Sequence, residues 1–313
     1  MLESLVFSLN ATVPIFLLMV LGMVLKKLNI ISDEFASQMN KFVFLIPLPV
    51  LLFNDLAHVD FVEAWDFSFV CFCFVVTILS IFIAFLISFV LKESTIRGEF
   101  IQATYRSSAA LLGVAIIQNI YGTSVMGPLM IIGSVPLYNI MAVVILSFFN
   151  PQAKQKGIVK KTLKGILKNP LIIGIVLGII WSLLKIPMPT ILDKTLTHVG
   201  NVATPMGLMA MGATFNFKQA LGKIKPAILA SFMKLFGFCM LFLPLAISLG
   251  FEGEQLVAIL IMLGSATTVS CFVMAKNMGH EGVLTSNVVM LTTLLSGFSI
   301  TFWLFLLKSM NLL

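Results

Sequence analysis

Apolar runs long enough to cross a bilayer recur from one end of this chain to the other. The stretch FSFVCFCFVVTILSIFIAFLIS, residues 67–88, carries no charge at all. Crossing the hydrocarbon core takes roughly 20 such residues as a helix, and there the backbone must be satisfied inside a helix or a closed barrel. A barrel would alternate apolar and polar side chains over segments of about 10 residues, a pattern this sequence lacks. Of the 313 residues 59% are hydrophobic and 11% charged, with a mean hydropathy of +1.07; a soluble domain carries about 25% charged residues. The chain therefore reads as an all-α polytopic membrane protein with the lipid bilayer as its solvent.

Ten spans are predicted, near residues 5–26, 36–57, 67–91, 99–121, 125–149, 167–187, 195–215, 226–249, 254–277 and 283–307. The loops after odd-numbered spans hold 14 of the 20 basic residues, six of them (Lys154, Lys156, Lys160, Lys161, Lys164, Lys168) in PQAKQKGIVKKTLKGILK. The other side holds Lys185, Lys194 and Lys308 beside acidic loops with Asp55, Asp60, Glu63 and Asp66, or Glu252 and Glu254. Translocating Lys and Arg is disfavoured. This predicts a cytoplasmic (inner) membrane protein with the 151–168 linker inside and both termini outside. The net charge of +7 then reports topology, and no nucleic-acid partner is expected. The opening MLESLV is acidic and lacks the pattern of a cleavable signal. Cys71, Cys73, Cys239 and Cys271 lie in apolar runs without histidines nearby and read as small buried hydrophobes; no metal or other cofactor is expected.

The sequence also repeats itself. TVPIFLLMVLGMVLKKLNI (12–30) resembles KNPLIIGIVLGIIWSLLKI (168–186), with Pro14 matching Pro170 and Gly22 matching Gly178 at an offset of 156. Pro47 matches Pro205 at 158, and Gly122 matches Gly279 at 157. Each half then holds five spans, residues 1–150 and 169–313, joined by the linker. An odd count makes the second half enter the membrane from the opposite side, so the halves are predicted to be inverted repeats. Such folds place their binding site near the midplane, where helices are interrupted.

Spans 4 and 9 are the predicted interruptions. Span 4 centres on Ser107-Ser108-Ala109-Ala110, followed by Gly113; span 9 centres on Gly264-Ser265-Ala266-Thr267-Thr268, followed by Ser270. Small residues let backbones approach, and hydroxyls can cover peptide groups that lipid cannot. Opened helices would aim N-termini, each about half a positive charge, at a bound anion, while exposed carbonyls could hold a coupling ion, Na+ or H+. Ser107, Ser108, Ser265, Thr267, Thr268 and Ser270 are the candidate ligands, with Gln118, Asn119, Asn139 and Asn287 as candidate cavity walls or interhelical bonds. Arg106 and Lys234 lie at membrane depth, where a cation faces a cavity or a partner; they either bond carbonyls at the crossover or support the anion directly. Acids are expected only in loops or at span ends. The Gly174/Gly178 pair of span 6 suits close packing, as a homodimer contact or within one chain.

These stretches resemble the auxin efflux carrier family of membrane transporters. Its fourth span typically reads Arg-Ser-Asn-x-Gly-Phe-x-Gly-x-Pro and ends in Tyr-Gly; here Arg106-Ser107-Ser108 leads through Gly113 and Ala115 to Tyr121-Gly122. Ser265-Ala266-Thr267-Thr268-Val269 and Ala275-Lys276 are similar to the family's Ala-Pro-Thr-Ala-Val…Ala-Lys, and FLIPLP, Pro136…Asn139 and LTTLLS also fit. The resemblance covers nearly the whole chain. It implies a ten-helix carrier with crossed, broken spans 4 and 9 and elevator-like motion. Spans 1, 2, 6 and 7 would be the scaffold, and spans 3–5 and 8–10 the mobile core. Its implied substrates are small organic anions such as a dicarboxylate or an aromatic carboxylate. Ser108 replaces the family's asparagine, and Ala115 and Ala266 replace its prolines. Proline prevents helix closure and alanine does not, so milder breaks are expected. No H-E-x-x-H, paired aspartate or Ser/His pair suggests an enzyme; a channel or a sodium/proton antiporter of similar fold is the alternative.

Overall fold

The computed structural model describes residues 2–58, 66–109, 114–121, 126–150 and 168–313, with backbone alone for 2–12, 15–16, 114–115, 118–119 and 217. Gly113, Gly122, Asp60, Glu63 and the linker lysines Lys154 to Lys164 lie outside these residues. All regular structure among the described residues is helical.

The helices are α1 (Leu2–Lys27), α2 (Asp33–Leu45), α3 (Pro47–Ala57), α4 (Phe67–Ser88), α5 (Arg97–Tyr105), α6 (Val114–Tyr121), α7 (Met126–Phe148), α8 (Pro170–Leu183), α9 (Thr190–Asn201), α10 (Ala203–Ala213), α11 (Phe217–Gly222), α12 (Ile224–Phe232), α13 (Phe238–Ser248), α14 (Glu254–Gly264), α15 (Ser270–Asn277) and α16 (Val283–Ser309). Among the described residues five stretches are long and apolar enough to cross a membrane: Asp33–Ala57, Phe67–Ser88, Met126–Phe148, Ile224–Ser248 and Val283–Ser309. The first bends at Ile46, ahead of Pro47 and Pro49, because a proline lacks the amide that would continue the ladder. The fourth contains a π-helical turn, Met233–Gly237.

Polar side chains secure several helix starts. Ser32 accepts from the Phe35 amide, Asn169 from that of Leu171, and Asn216 from that of Gln219. Asp66 caps α4 and also accepts from Gln255 Nε2 at 2.8 Å, tying α4 to α14. Glu99 of α5 is 1% exposed, yet its carboxylate accepts from the Gly282 amide (2.9 Å), the Thr285 amide (3.0 Å) and the Thr285 hydroxyl (2.9 Å). A carboxylate at the positive end of a helix is favourable, and here it joins α5 to α16.

Packing divides the helices into two groups. In one, α1 lies along α10, and α3 along α8 and α9; in the other, α4 packs on α5 and α7, α12 on α16, and α13 on α14. Contacts of α1 with α16 and of α2 with α15 connect them. Glycines set the closest approaches. A Cβ on Gly22 would strike the Met209 carbonyl, and one on Gly178 would lie 2.7 Å from the Phe53 carbonyl oxygen. Residues 22 and 178, and likewise 53 and 209, are each 156 apart, so one contact occurs twice with the halves exchanging roles. Gly174 faces the Pro49 carbonyl; the Gly174/Gly178 face is therefore covered by α3 of the same chain.

Candidate functional site at the helix crossover

Both suspected breaks exist. In span 4 the helix stops at Tyr105, and Arg106 is extended (φ −74, ψ 133); a helix resumes at Val114. In span 9 it stops at Gly264, Ser265 is extended (φ −76, ψ 165), and a helix resumes at Ser270. The expectation that Ala266 would soften the break is corrected: residues 265–269 are not helical. Alanine does not close the helix because the opened peptide groups have other partners. The two extended segments bond where they cross, Ser108 N–H donating to the Ala266 carbonyl at 2.9 Å. The Thr267 amide donates to Thr292 Oγ1 (3.0 Å), Thr267 Oγ1 to the Ala103 carbonyl (2.8 Å), and Gln102 Nε2 to the Cys271 carbonyl (2.9 Å).

On one side of the crossing lies Lys234, fully buried. Its Nζ donates to Ser107 Oγ and to the Leu263 carbonyl (2.8 Å), with the Tyr105 and Met262 carbonyls at 3.4 Å. Ser107 Oγ in turn donates to the Met262 carbonyl, which also accepts from Tyr138 Oη at 3.2 Å. These carbonyls end α5 and α14, so one ammonium meets the negative ends of both interrupted helices. The π-helical turn carries Lys234, and such turns are frequent at functional sites. Its Leu235 carbonyl accepts from Trp303 Nε1 at 3.0 Å. Of the two alternatives left open for Lys234, carbonyl bonding is the one observed.

On the other side Arg106 lines a cavity of about 70 Å³ between α3 and α10 on one wall and the crossover and α7 on the other. Its guanidinium is 3% exposed and donates to Asn139 Oδ1 (2.6 Å), Ser270 Oγ (2.9 Å) and the Met274 sulfur (2.7 Å). Asn139 is oriented by its own bond to the Val135 carbonyl (2.9 Å). Ser107, Ser108, Thr268, Ser270 and Tyr138 also face the cavity, with Leu48, Leu51 and Leu52 as apolar wall. Thr268 and Ser270, at the N-terminus of α15, share a hydroxyl contact at 3.3 Å.

The other candidates fall elsewhere. Thr267 is committed to Ala103; Ser265 Oγ is buried without a partner among the described residues; Asn287 donates to the Ala220 carbonyl (2.8 Å) and joins α16 to α11. The side chains of Gln118 and Asn119 lie outside the described residues. Sequence reasoning missed Tyr138, Gln102 and Thr292, whose roles depend on partners far along the chain. It also read Asp55 as part of an acidic loop. Asp55 lies inside α3 and lines the same cavity as Arg106. Among the described residues no group of three His, Cys, Asp or Glu could hold a metal ion.

With this geometry in hand, comparison with known proteins places the chain. A family model described as "Membrane transport protein" matches residues 7–304. A protein of Methanothermobacter thermautotrophicus described as an uncharacterized transporter is 22% identical over 302 residues, covering 95% of this chain and 97% of that one.

Proposed function

The chain belongs to the membrane transport protein family of the auxin efflux carriers, and from that premise we propose that it is a secondary-active carrier of small organic anions, bound at the crossover. The observation carrying this reading is the position of Arg106 in the cavity wall, beside hydroxyls and the start of α15. Two broken helices create two negative and two positive ends, each about half a charge. Lys234 answers the negative pair. The positive end of α15 and the guanidinium are then available to an anion, and Ser108, Thr268 and Ser270 offer hydroxyls to its oxygens. Pockets for drug-sized ligands run to roughly 300–1,000 Å³, so a cavity of about 70 Å³ suits a short dicarboxylate better than an aromatic acid.

Transport then follows from alternating access. We assign spans 1, 2, 6 and 7 (α1–α3 and α8–α10) to a scaffold and the rest to a moving core, as ten spans in two inverted repeats. The contact repeated at 22/209 and 178/53 supports the inverted arrangement, and the position of the cavity between the two packing groups supports relative motion across it. The charge asymmetry of the loops supports an inner membrane location with the linker in the cytoplasm.

The test is charge movement by the purified protein in liposomes on a solid-supported membrane. Malate, malonate and indole acetate are applied in turn, with and without sodium, at two pH values. A saturable current with a dicarboxylate is expected. Silence to every acid with a response to sodium or pH alone would overturn the anion reading in favour of the antiporter. A linear current that does not saturate would indicate a channel.

A further inference from the structure

We propose that Asp55 is the seat of the proton that couples transport, an inference that rests on the anion-carrier reading above and deepens it. Asp55 is half-buried in the cavity wall, and among the described residues its carboxylate has no hydrogen bond or ion pair. Its nearest wall is apolar, formed by Leu51 and Leu52 of its own helix. An unpaired charge in such a place is costly, and packing does not demand it. The 156-residue shift that relates the repeated glycine contacts takes residue 55 to Met211, a fully apolar side chain 2% exposed. The fold accepts a hydrophobe at the matching position of the other half, so the carboxylate belongs to this cavity and not to the architecture.

The charged surroundings fit a proton better than a metal cation. Arg106 faces the same cavity from the crossover and would repel a cation. On α3 itself, His58 lies one turn beyond Asp55, its Nδ1 2.9 Å from the Asn54 carbonyl and its Nε2 3.2 Å from Asp193 Oδ1 of α9. His58 is partly exposed and lies between the end of α3 and solvent. Lys194 and His198 of α9 and Asp33, Glu34 and Lys41 of α2 are exposed, while α8 and α10 carry no charged residue.

Coupling follows from like-charge repulsion. An anion on Arg106 in so small a cavity sits close to the Asp55 carboxylate, so anion binding favours the protonated acid, and a proton on Asp55 favours the anion by the same factor. The proton moves from water to a carboxylate oxygen and back, with no other bond changed. Asp55 lies in the proposed scaffold and Arg106 in the proposed core, so relative motion changes the coupling between them; the Asp55 proton exchanges with the water of whichever side the cavity faces, leaving to the side on which the anion is released.

The experiment uses the full chain in liposomes with malonate as the probe. For the wild type, the apparent malonate affinity should fall about tenfold per pH unit above the range where Asp55 titrates, one proton per anion, and an imposed pH gradient should drive accumulation. In Asp55→Asn the affinity should become independent of pH and the gradient should drive nothing; Asp55→Glu should restore pH dependence. A variant D55N that keeps the wild-type pH dependence overturns the proposal. Infrared difference spectra taken across pH provide a readout that needs no substrate. A protonated-carboxyl band that titrates in the wild type and is lost in D55N supports Asp55 as the site, and a band unchanged in D55N rejects it. Failure of the wild type to move malonate would instead sink the anion reading, with the infrared titration still deciding the role of Asp55.

Discussion

Lys234 and Arg106 are two cations on opposite sides of one crossover, and their surroundings differ in a single decisive respect. Lys234 is enclosed, with every direction taken by a carbonyl or a hydroxyl from the ends of α5 and α14. Arg106 is almost as buried, yet its guanidinium forms part of a cavity wall and bonds only neutral side chains. A buried cation whose donors are all taken by helix-end carbonyls and a hydroxyl, with no open space beside it, is committed to the fold. One that meets neutral groups beside an open space still has charge to offer an anion. Burial alone does not distinguish them; the identity of the acceptors does.

Lys234→Met should have the largest effect. It leaves the carbonyls ending two helices unanswered, and each buried acceptor left without a partner costs about 1–3 kcal/mol. Thermal unfolding in detergent should show a large loss, and transport should disappear with it. A K234M protein that folds and transports normally would break the comparison outright.

Next comes Arg106→Gln, expected to keep most of the stability while weakening anion binding by about 2–4 kcal/mol, roughly 30- to 800-fold, as when one partner of a buried charge pair is removed. Isothermal titration with the active acid reads this directly. Unchanged affinity would move the anion away from the guanidinium.

Hydroxyls sharpen the same contrast. Thr267→Val removes a bond to the Ala103 carbonyl and should cost about 1–2 kcal/mol of stability, with little change in the affinity of the folded protein. Ser108→Ala removes a cavity hydroxyl and should do the reverse, weakening binding by about 1 kcal/mol while the melting temperature holds. Melting and binding measured on both variants test the division, and equal behaviour in the two would erase it. The smallest functional effect is expected for Asn287→Ala, which should lose about 1 kcal/mol of stability and leave the affinity of the folded protein at the wild-type value.

Much of the fold was legible because the bilayer restricts what a chain can do. Apolar runs located the helices to within a few residues, and Gly22 and Gly178, paired on sequence, make matching close approaches to the Met209 and Phe53 carbonyls. The clustering of serine, threonine and glycine at 107–113 and 264–270 located both interruptions, since a helix opened in lipid needs hydroxyls at hand. Arg106, Ser108, Asn139, Thr268 and Ser270, grouped as candidates on sequence, share one cavity in the fold. Ala266 misled, because local propensity speaks for continuity and the partners that keep the helix open, Thr292, Gln102 and Lys234, come from elsewhere in the chain.

Sequence by itself therefore determined what is local or periodic: the helices, their ends and the polar content of the breaks. Only the tertiary structure decided what depends on direction. It turned Lys234 toward carbonyls and Arg106 toward a cavity, sent Asn287 to α11, and brought Asp55 in from an apparent loop to line that same cavity. The physical reason is that a side chain's work depends on which acceptors reach it, and those acceptors lie on other helices, from 28 to 168 residues away.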